Sequence, residues 1–199
     1  MSLVVVGGHS RSVGKTSVAA GLIAALPEYN WTAMKITQHG HGICSAVGEP
    51  CGCAIEYDHP YAISEESTPG PSDSARFLAA GARRSFWLRT AVGRLGNAAA
   101  AIREIVQSSE NTIVESNSIL QFWKPELYLV VVDFATPDFK ESALRYLDRA
   151  DCLISVGQGE PRWRGVSRRL WESKPRFPVE PPRYLSGELA EFVGQRLML

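Results

Sequence analysis

The chain contains no run of about 18 apolar residues, the least a membrane-spanning helix requires, so no segment reads as a span. It also has no excess of charge, since 21 Lys and Arg balance 21 Asp and Glu. No global field draws it to nucleic acid or to an anionic membrane, and neither is an expected partner. Cysteine is scarce, with four in 199 residues, and no basic segment precedes the short apolar run near the start. These features point to a cytoplasmic protein whose cysteines are thiols or metal ligands rather than a disulfide framework. Internal repeats and low-complexity tracts are absent too. What is present is a 45% hydrophobic composition in a length suited to one domain, so residues 1–199 are read as a single unit.

Apolar runs at Leu3 to Gly7, Trp31 to Thr37, Thr112 to Glu115, Leu127 to Asp133 and Cys152 to Val156 alternate with helical patterns. This is the rhythm of an α/β fold in three layers, a mostly parallel central sheet with helices on both faces. Leu127 to Val132 has no polar alternation, as expected of a strand buried on both sides in the sheet centre. Helices are predicted over Lys15 to Leu26, Ser72 to Arg83 with Ser72 as cap, Leu95 to Val106, Phe139 to Arg149, and Gly187 to Leu197 with Ser186 as cap. Two stretches lack periodicity. One is a Cys/His-rich insertion at about 38–71; the other runs from Gly157 to Tyr184, where five prolines demand turns or edge positions.

The most informative segment lies between the first strand and the first helix, Gly8-His9-Ser10-Arg11-Ser12-Val13-Gly14-Lys15-Thr16-Ser17. A strand, a glycine-bearing loop ending in Gly-Lys-Thr and a helix form a phosphate cradle, the P-loop. Gly8, Arg11, Ser12, Val13, Gly14, Lys15, Thr16 and Ser17 are the expected nucleotide-binding residues. Lys15 would reach β- and γ-phosphate oxygens, and the Thr16 hydroxyl would ligate Mg²⁺. The loop is one residue longer than the usual spacing, with five residues between Gly8 and Gly14. A second metal-side acid is expected at a neighbouring strand end. Glu115 is favoured, since Ser116-Asn117-Ser118 after it suit a crevice, and Asp133 is the alternative. Lys35, at the end of the second strand, would stabilise charge on the transferring phosphoryl group. Lys15, Lys35 and Glu115 form the expected catalytic set.

Two families resemble this arrangement. The five-residue spacing of the loop, Met34-Lys35-Ile36-Thr37 and Val114-Glu115-Ser116 are similar to segments of the dethiobiotin synthetases. Lys35-Ile36-Thr37-Gln38-His39-Gly40-His41, Ser72-Asp73-Ser74-Ala75-Arg76 and Ala80-Gly81-Ala82 resemble, in order, segments of molybdopterin-guanine dinucleotide biosynthesis protein B. The resemblance covers Leu3 to Asp133 and implies Mg²⁺ held by Thr16 and Glu115, with Asp73 and Arg76 near an acceptor. It implies either an NTP hydrolase, phosphoryl transferase or ATP-dependent ligase acting on a small-molecule acceptor, or an accessory protein of cofactor biosynthesis with slow hydrolysis. The second would work through a protein partner or a second copy of the chain. The chain departs from these families most distinctively in its thiol-rich loop, and also at the positions that follow. Ser116-Asn117 replaces a glycine, Ser10 stands where related ATPases carry an extra lysine, and no Asn-Lys-x-Asp segment reads guanine, which leaves ATP and GTP both open.

His39, His41, Cys44, Cys51, Cys53 and His59 place six soft or borderline donors in one loop. Cys44, Cys51, Cys53 and His59 are the candidate Zn²⁺ set; a redox-active thiol group or a phosphate-binding use of the histidines are the alternatives. Cys152, on an apolar strand, reads as a small buried hydrophobe. Arg162, Trp163, Arg164, Arg168, Arg169, Trp171, Lys174 and Arg176 form one basic, aromatic patch. It reads as a solvated helix face with partly buried tryptophans, ahead of a base-stacking or RNA-binding surface.

Overall fold

The computed structural model describes residues 1–39, 59–157 and 159–198. Eight strands form one sheet: β1 (Ser2–Gly8), β2 (Trp31–His39), β3 (Tyr61–Glu65), β4 (Arg84–Ala91), β5 (Asn111–Glu115), β6 (Leu127–Asp133), β7 (Cys152–Val156) and β8 (Arg176–Val179). Five α-helices accompany them: α1 (Lys15–Ala25), α2 (Asp73–Ala79), α3 (Ala99–Gln107), α4 (Glu141–Leu144) and α5 (Gly187–Leu197). The strand order is β3-β4-β2-β5-β1-β6-β7-β8, and every pairing is parallel except β3 with β4. The three-layer α/β arrangement expected from the apolar runs is therefore the one observed. No helix among the described residues is long and apolar enough to cross a membrane.

The continuous apolar strands are explained by two-sided burial. Side chains alternate along a strand, so Leu3 and Val5 of β1 enter one core while Val4 and Val6 enter the other. In β6, Tyr128, Val130 and Val132 face the first core, and Leu127, Leu129 and Val131 the second. Helices α1, α2 and α5 cover the second core through Val18, Leu22, Phe77, Leu189 and Val193, whereas Ile102 and Val106 of α3 cover the first. The predicted centre of the sheet is displaced by one strand. β5 and β1 occupy the middle, with β6 interior beside β1.

Several boundaries differ from the sequence reading. The helix expected to reach Arg83 stops at Ala79, because Gly81 turns the chain at φ +103° and Arg84–Ala91 enters the sheet as β4. That strand carried a readable signal in the apolar run Phe86-Trp87-Leu88. The insertion at 38–71 contributes the antiparallel edge strand β3. The proline-rich tail contributes β8, where Pro178 is tolerated because an edge strand need not donate on both sides. The helix expected over Phe139 to Arg149 breaks into α4 and a single 3₁₀ turn. Both predicted caps form, with Ser72 Oγ accepting from the Ala75 N–H and Ser186 Oγ from the Leu189 N–H, each at 3.2 Å.

The basic, aromatic patch is not a helix face. Trp163 and Trp171 are buried in the first core, 5.7 Å apart between ring centres, with Phe134 and Phe139 around Trp163. The Trp163 indole N–H donates to the Asp133 carbonyl at 3.2 Å, which satisfies its polar atom. These rings are core residues, unavailable for stacking a base. Cys152 is fully buried as expected, and burial pushes its thiol up to about 12.

Candidate functional site

The carboxyl ends of β1, β2 and β5 open onto one edge of the sheet, the usual ligand edge of parallel α/β folds. A cleft of about 550 Å³ lies there, lined by Arg11, Ser12 and Gly14 to Ser17 from the first loop and helix. Two expected members of the loop lie behind it. The Val13 side chain is buried in the core, and Gly8 sits at the end of β1 beneath Lys15.

The loop is shaped by backbone conformations that few residues adopt. Ser12 has φ +55° and Gly14 φ +100°, and Gly14 caps α1. A Cβ on Gly14 would be strained at that φ and would strike the Tyr184 ring, so glycine is required twice over. Helix α1 has no acidic residue in its first turn, and the early N–H groups of a helix lack intrahelical partners. Its amino end is therefore electropositive and open to an anion.

Asn117 answers the missing glycine after Glu115. Its Oδ1 accepts from the Gly8 N–H and its Nδ2 donates to the Gly8 carbonyl, both at 2.9 Å. The close approach survives because the glycine is on the other partner: a Cβ at Gly7 would collide with Asn117 Oδ1 and the Tyr128 hydroxyl. A two-pronged amide thus fixes the start of the loop from β5.

The expected catalytic residues converge. Strand pairing sets Lys35 directly opposite Glu115. The Thr16 hydroxyl donates to Glu115 Oε2 at 2.6 Å, and Lys35 Nζ lies 2.9 Å from Glu115 Oε1. Lys35 Nζ is also 2.7 Å from Asp73 Oδ2 and 3.5 Å from Thr16 Oγ1. Burial works against the Lys35 ammonium, but Glu115 and Asp73 outweigh it and raise its pKa. Burial likewise opposes the Asp73 carboxylate, and Lys35 with Arg76 overcomes it, holding Asp73 below its ordinary value. Arg76 in turn donates to Ser17 Oγ at 3.1 Å, tying α2 to the loop.

Lys15 is different. Its Nζ donates to the Ser10 carbonyl at 3.1 Å, and burial lowers its pKa to about 8. Lys140 contributes to that lowering through charge repulsion, and it also lines the cleft. The Lys140 backbone N–H donates to the His9 carbonyl at 2.8 Å, which fixes the segment after β6 against the loop. No local signal marks Lys140, and it brings a positive charge to the cleft that Ser10 cannot supply. In all, Arg11, Lys15, Lys35, Arg76 and Lys140 face the cleft against Asp73 and Glu115, a surplus of three positive charges in a chain of zero net charge.

Asp133 does not reach this cluster. Its carboxylate accepts from the Ala135 N–H at 2.8 Å and the Thr136 hydroxyl at 2.7 Å, closing the turn after β6. His9, next in the loop, is fully buried against Phe139 and Trp163, and burial lowers its pKa. Of the candidate Zn²⁺ set, His59 is exposed, and Cys44, Cys51 and Cys53 lie outside the described residues. Among the described residues no group of three or more His, Cys, Asp or Glu is placed to hold a metal.

A Mg²⁺ ion fits the oxygens present. Magnesium takes one or two protein carboxylates, with phosphate and water completing an octahedron whose 2.0–2.1 Å bonds set adjacent ligands roughly 2.9 Å apart. Thr16 Oγ1 and Glu115 Oε2, 2.6 Å apart, span close to one such edge.

No protein-family model matches the chain, and no curated protein does so either. Among solved structures, the chain is similar to LpxK from Aquifex aeolicus in complex with ATP, at 15% identity and a TM-score of 0.49, over 89% of this chain and 53% of that one. It is also similar to HypB from Helicobacter pylori in complex with nickel, at 13% identity and a TM-score of 0.47, over 98% of this chain and 85% of that one. The chain thus spans about half the length of the LpxK chain.

Proposed function

We propose that the chain binds Mg²⁺ with a nucleoside triphosphate, ATP or GTP, and transfers or hydrolyses the γ-phosphoryl group, with a small molecule as acceptor. The observation that carries this reading is the Thr16, Glu115 and Lys35 cluster at the amino end of α1, beside Lys15. The cationic surplus of the cleft suits a polyanion. Resemblance of the loop, of Lys35 and of Val114-Glu115 to dethiobiotin synthetases, and of Ser72 to Arg76 to molybdopterin-guanine dinucleotide biosynthesis protein B, supports the same assignment.

In this mechanism the loop and the first turn of α1 direct N–H groups at the phosphates. Lys15 leaves the Ser10 carbonyl for β and γ oxygens, and phosphate charge favours its ammonium form. Thr16 and Glu115 would hold Mg²⁺, which when bound would supply neutralisation of phosphate charge. Lys35 stabilises charge that grows on the transferring group, and Asp73 orients Lys35.

One observation favours slow turnover in an accessory role. Both carboxylates in the cleft are engaged by cations, and His9 is buried outside it, so no uncommitted base is found among the described residues lining the cleft. Calorimetry with a non-hydrolysable triphosphate, with and without Mg²⁺, tests binding, and phosphate release with and without small acceptors separates the two roles. Metal-dependent binding is expected. Its absence at millimolar nucleotide would overturn the proposal.

A further inference from the structure

We infer that Lys35 and the divalent cation compete for the same oxygens, so that the metal can enter the cleft fully only when a phosphate group receives the displaced ammonium. The inference rests on the metal site of the proposed function and goes beyond it, because it makes Lys35 a gate on metal binding as well as a phosphate contact.

The geometry behind it is compact. One ammonium lies within 2.9 Å of two carboxylates on different elements, Glu115 on β5 and Asp73 on α2, and 3.5 Å from the hydroxyl of Thr16. Thr16 and Glu115 are the pair whose spacing fits Mg²⁺. A cation bound to these oxygens would lie close to the ammonium, and like charges at such a distance repel strongly where water is scarce. Glu115 is 5% exposed and Lys35 18%, so solvent screens them little. Lys35 must therefore swing away from Glu115 as a metal arrives. Asp73 remains as its second anchor and keeps the ammonium at the cleft, within reach of an incoming anion. Arg76, paired with Asp73 at 3.7 Å and bonded to Ser17, holds that anchor against the loop.

The charge count gives the consequence. Glu115 and Asp73 are matched by Lys35 and Arg76, which leaves no net negative charge around Thr16 to attract a free divalent ion. Replacing the Lys35 ammonium by a neutral side chain frees Glu115 of its ion pair and leaves one net negative charge there, with Arg76 still on Asp73. Loss of Lys35 should then strengthen metal binding in the absence of nucleotide while weakening the binding of triphosphate, two effects of opposite sign that damage to the fold cannot produce together.

The test titrates Mn²⁺ into the full chain without nucleotide, followed by electron paramagnetic resonance, for the native protein, Lys35→Met and Lys35→Gln. Both replacements keep much of the stem, and circular dichroism checks their fold. Mn²⁺ affinity at least about tenfold above native is expected in both, and adding Glu115→Gln to either should abolish the gain. Mn²⁺ binding in the folded variants no tighter than native overturns the inference, as does a gain that survives Glu115→Gln. A second arm adds tripolyphosphate, which should raise Mn²⁺ affinity more in the native protein than in the variants; an equal rise in all three also overturns it. If tripolyphosphate binds none of the proteins, the nucleotide reading fails, while the comparison made with Mn²⁺ alone still decides the competition.

Discussion

The Thr16 hydroxyl donates to Glu115 Oε2 at 2.6 Å across 99 residues of sequence, joining the first helix of the fold to the fifth strand. Both residues are buried, so this bond reports a fixed feature of the cleft rather than a surface contact.

Glu115→Gln should lower Mg²⁺-dependent nucleotide affinity roughly tenfold to a hundredfold, the scale of one charge-assisted contact. Asp133→Asn should leave that affinity unchanged and cost stability of about 1 kcal/mol, because its carboxylate closes a turn. Calorimetry and thermal unfolding on both variants check the pair, and the reverse ranking would move the metal-side acid to β6.

Lys15 has a pKa lowered to about 8 by burial. Below that pH the ammonium is present before nucleotide arrives; above it, binding must take up a proton, because bound phosphate favours the charged form. Affinity should be flat up to about pH 8 and then fall, approaching tenfold per unit. Calorimetry in buffers of different ionisation enthalpy should detect the proton uptake, and Lys15→Met should remove both the pH dependence and most of the affinity.

Lys140→Ala should weaken triphosphate binding about three- to tenfold, the scale of one partly solvated charge contact. Lys140→Arg should restore most of it. The Ala variant should retain its melting temperature, since the bond to the His9 carbonyl comes from the Lys140 backbone. Equal nucleotide affinity in all three proteins would remove Lys140 from the phosphate site.

Trp163→Ala should destabilise the fold by about 3–5 kcal/mol, the cost of emptying a large aromatic site. Urea unfolding measures this directly. A surface tryptophan would give nearly none, and single-stranded RNA should bind native protein no better than its neutral charge allows.

The glycine-bearing loop after β1, the helix that follows it, the five apolar strands and the caps at Ser72 and Ser186 were legible in the sequence, because each depends on local periodicity or on a residue with one conformational use. Glu115 could be favoured over Asp133 for the same reason: the polar residues after it fit a crevice. Strands β3, β4 and β8 were not read from the sequence: β3 and β8 lie in stretches without periodicity, and β4 follows a helical pattern that only the turn at Gly81 ends. Trp163 and Trp171, interleaved with arginines, read as partly buried on a solvated helix face, and packing with Phe134 and Phe139 makes them core. Lys140 and the double grip of Glu115 and Asp73 on Lys35 belong to the tertiary structure alone. They arise where four strand ends and two helix starts meet, and no spacing in the sequence encodes distances between segments that the sheet brings together.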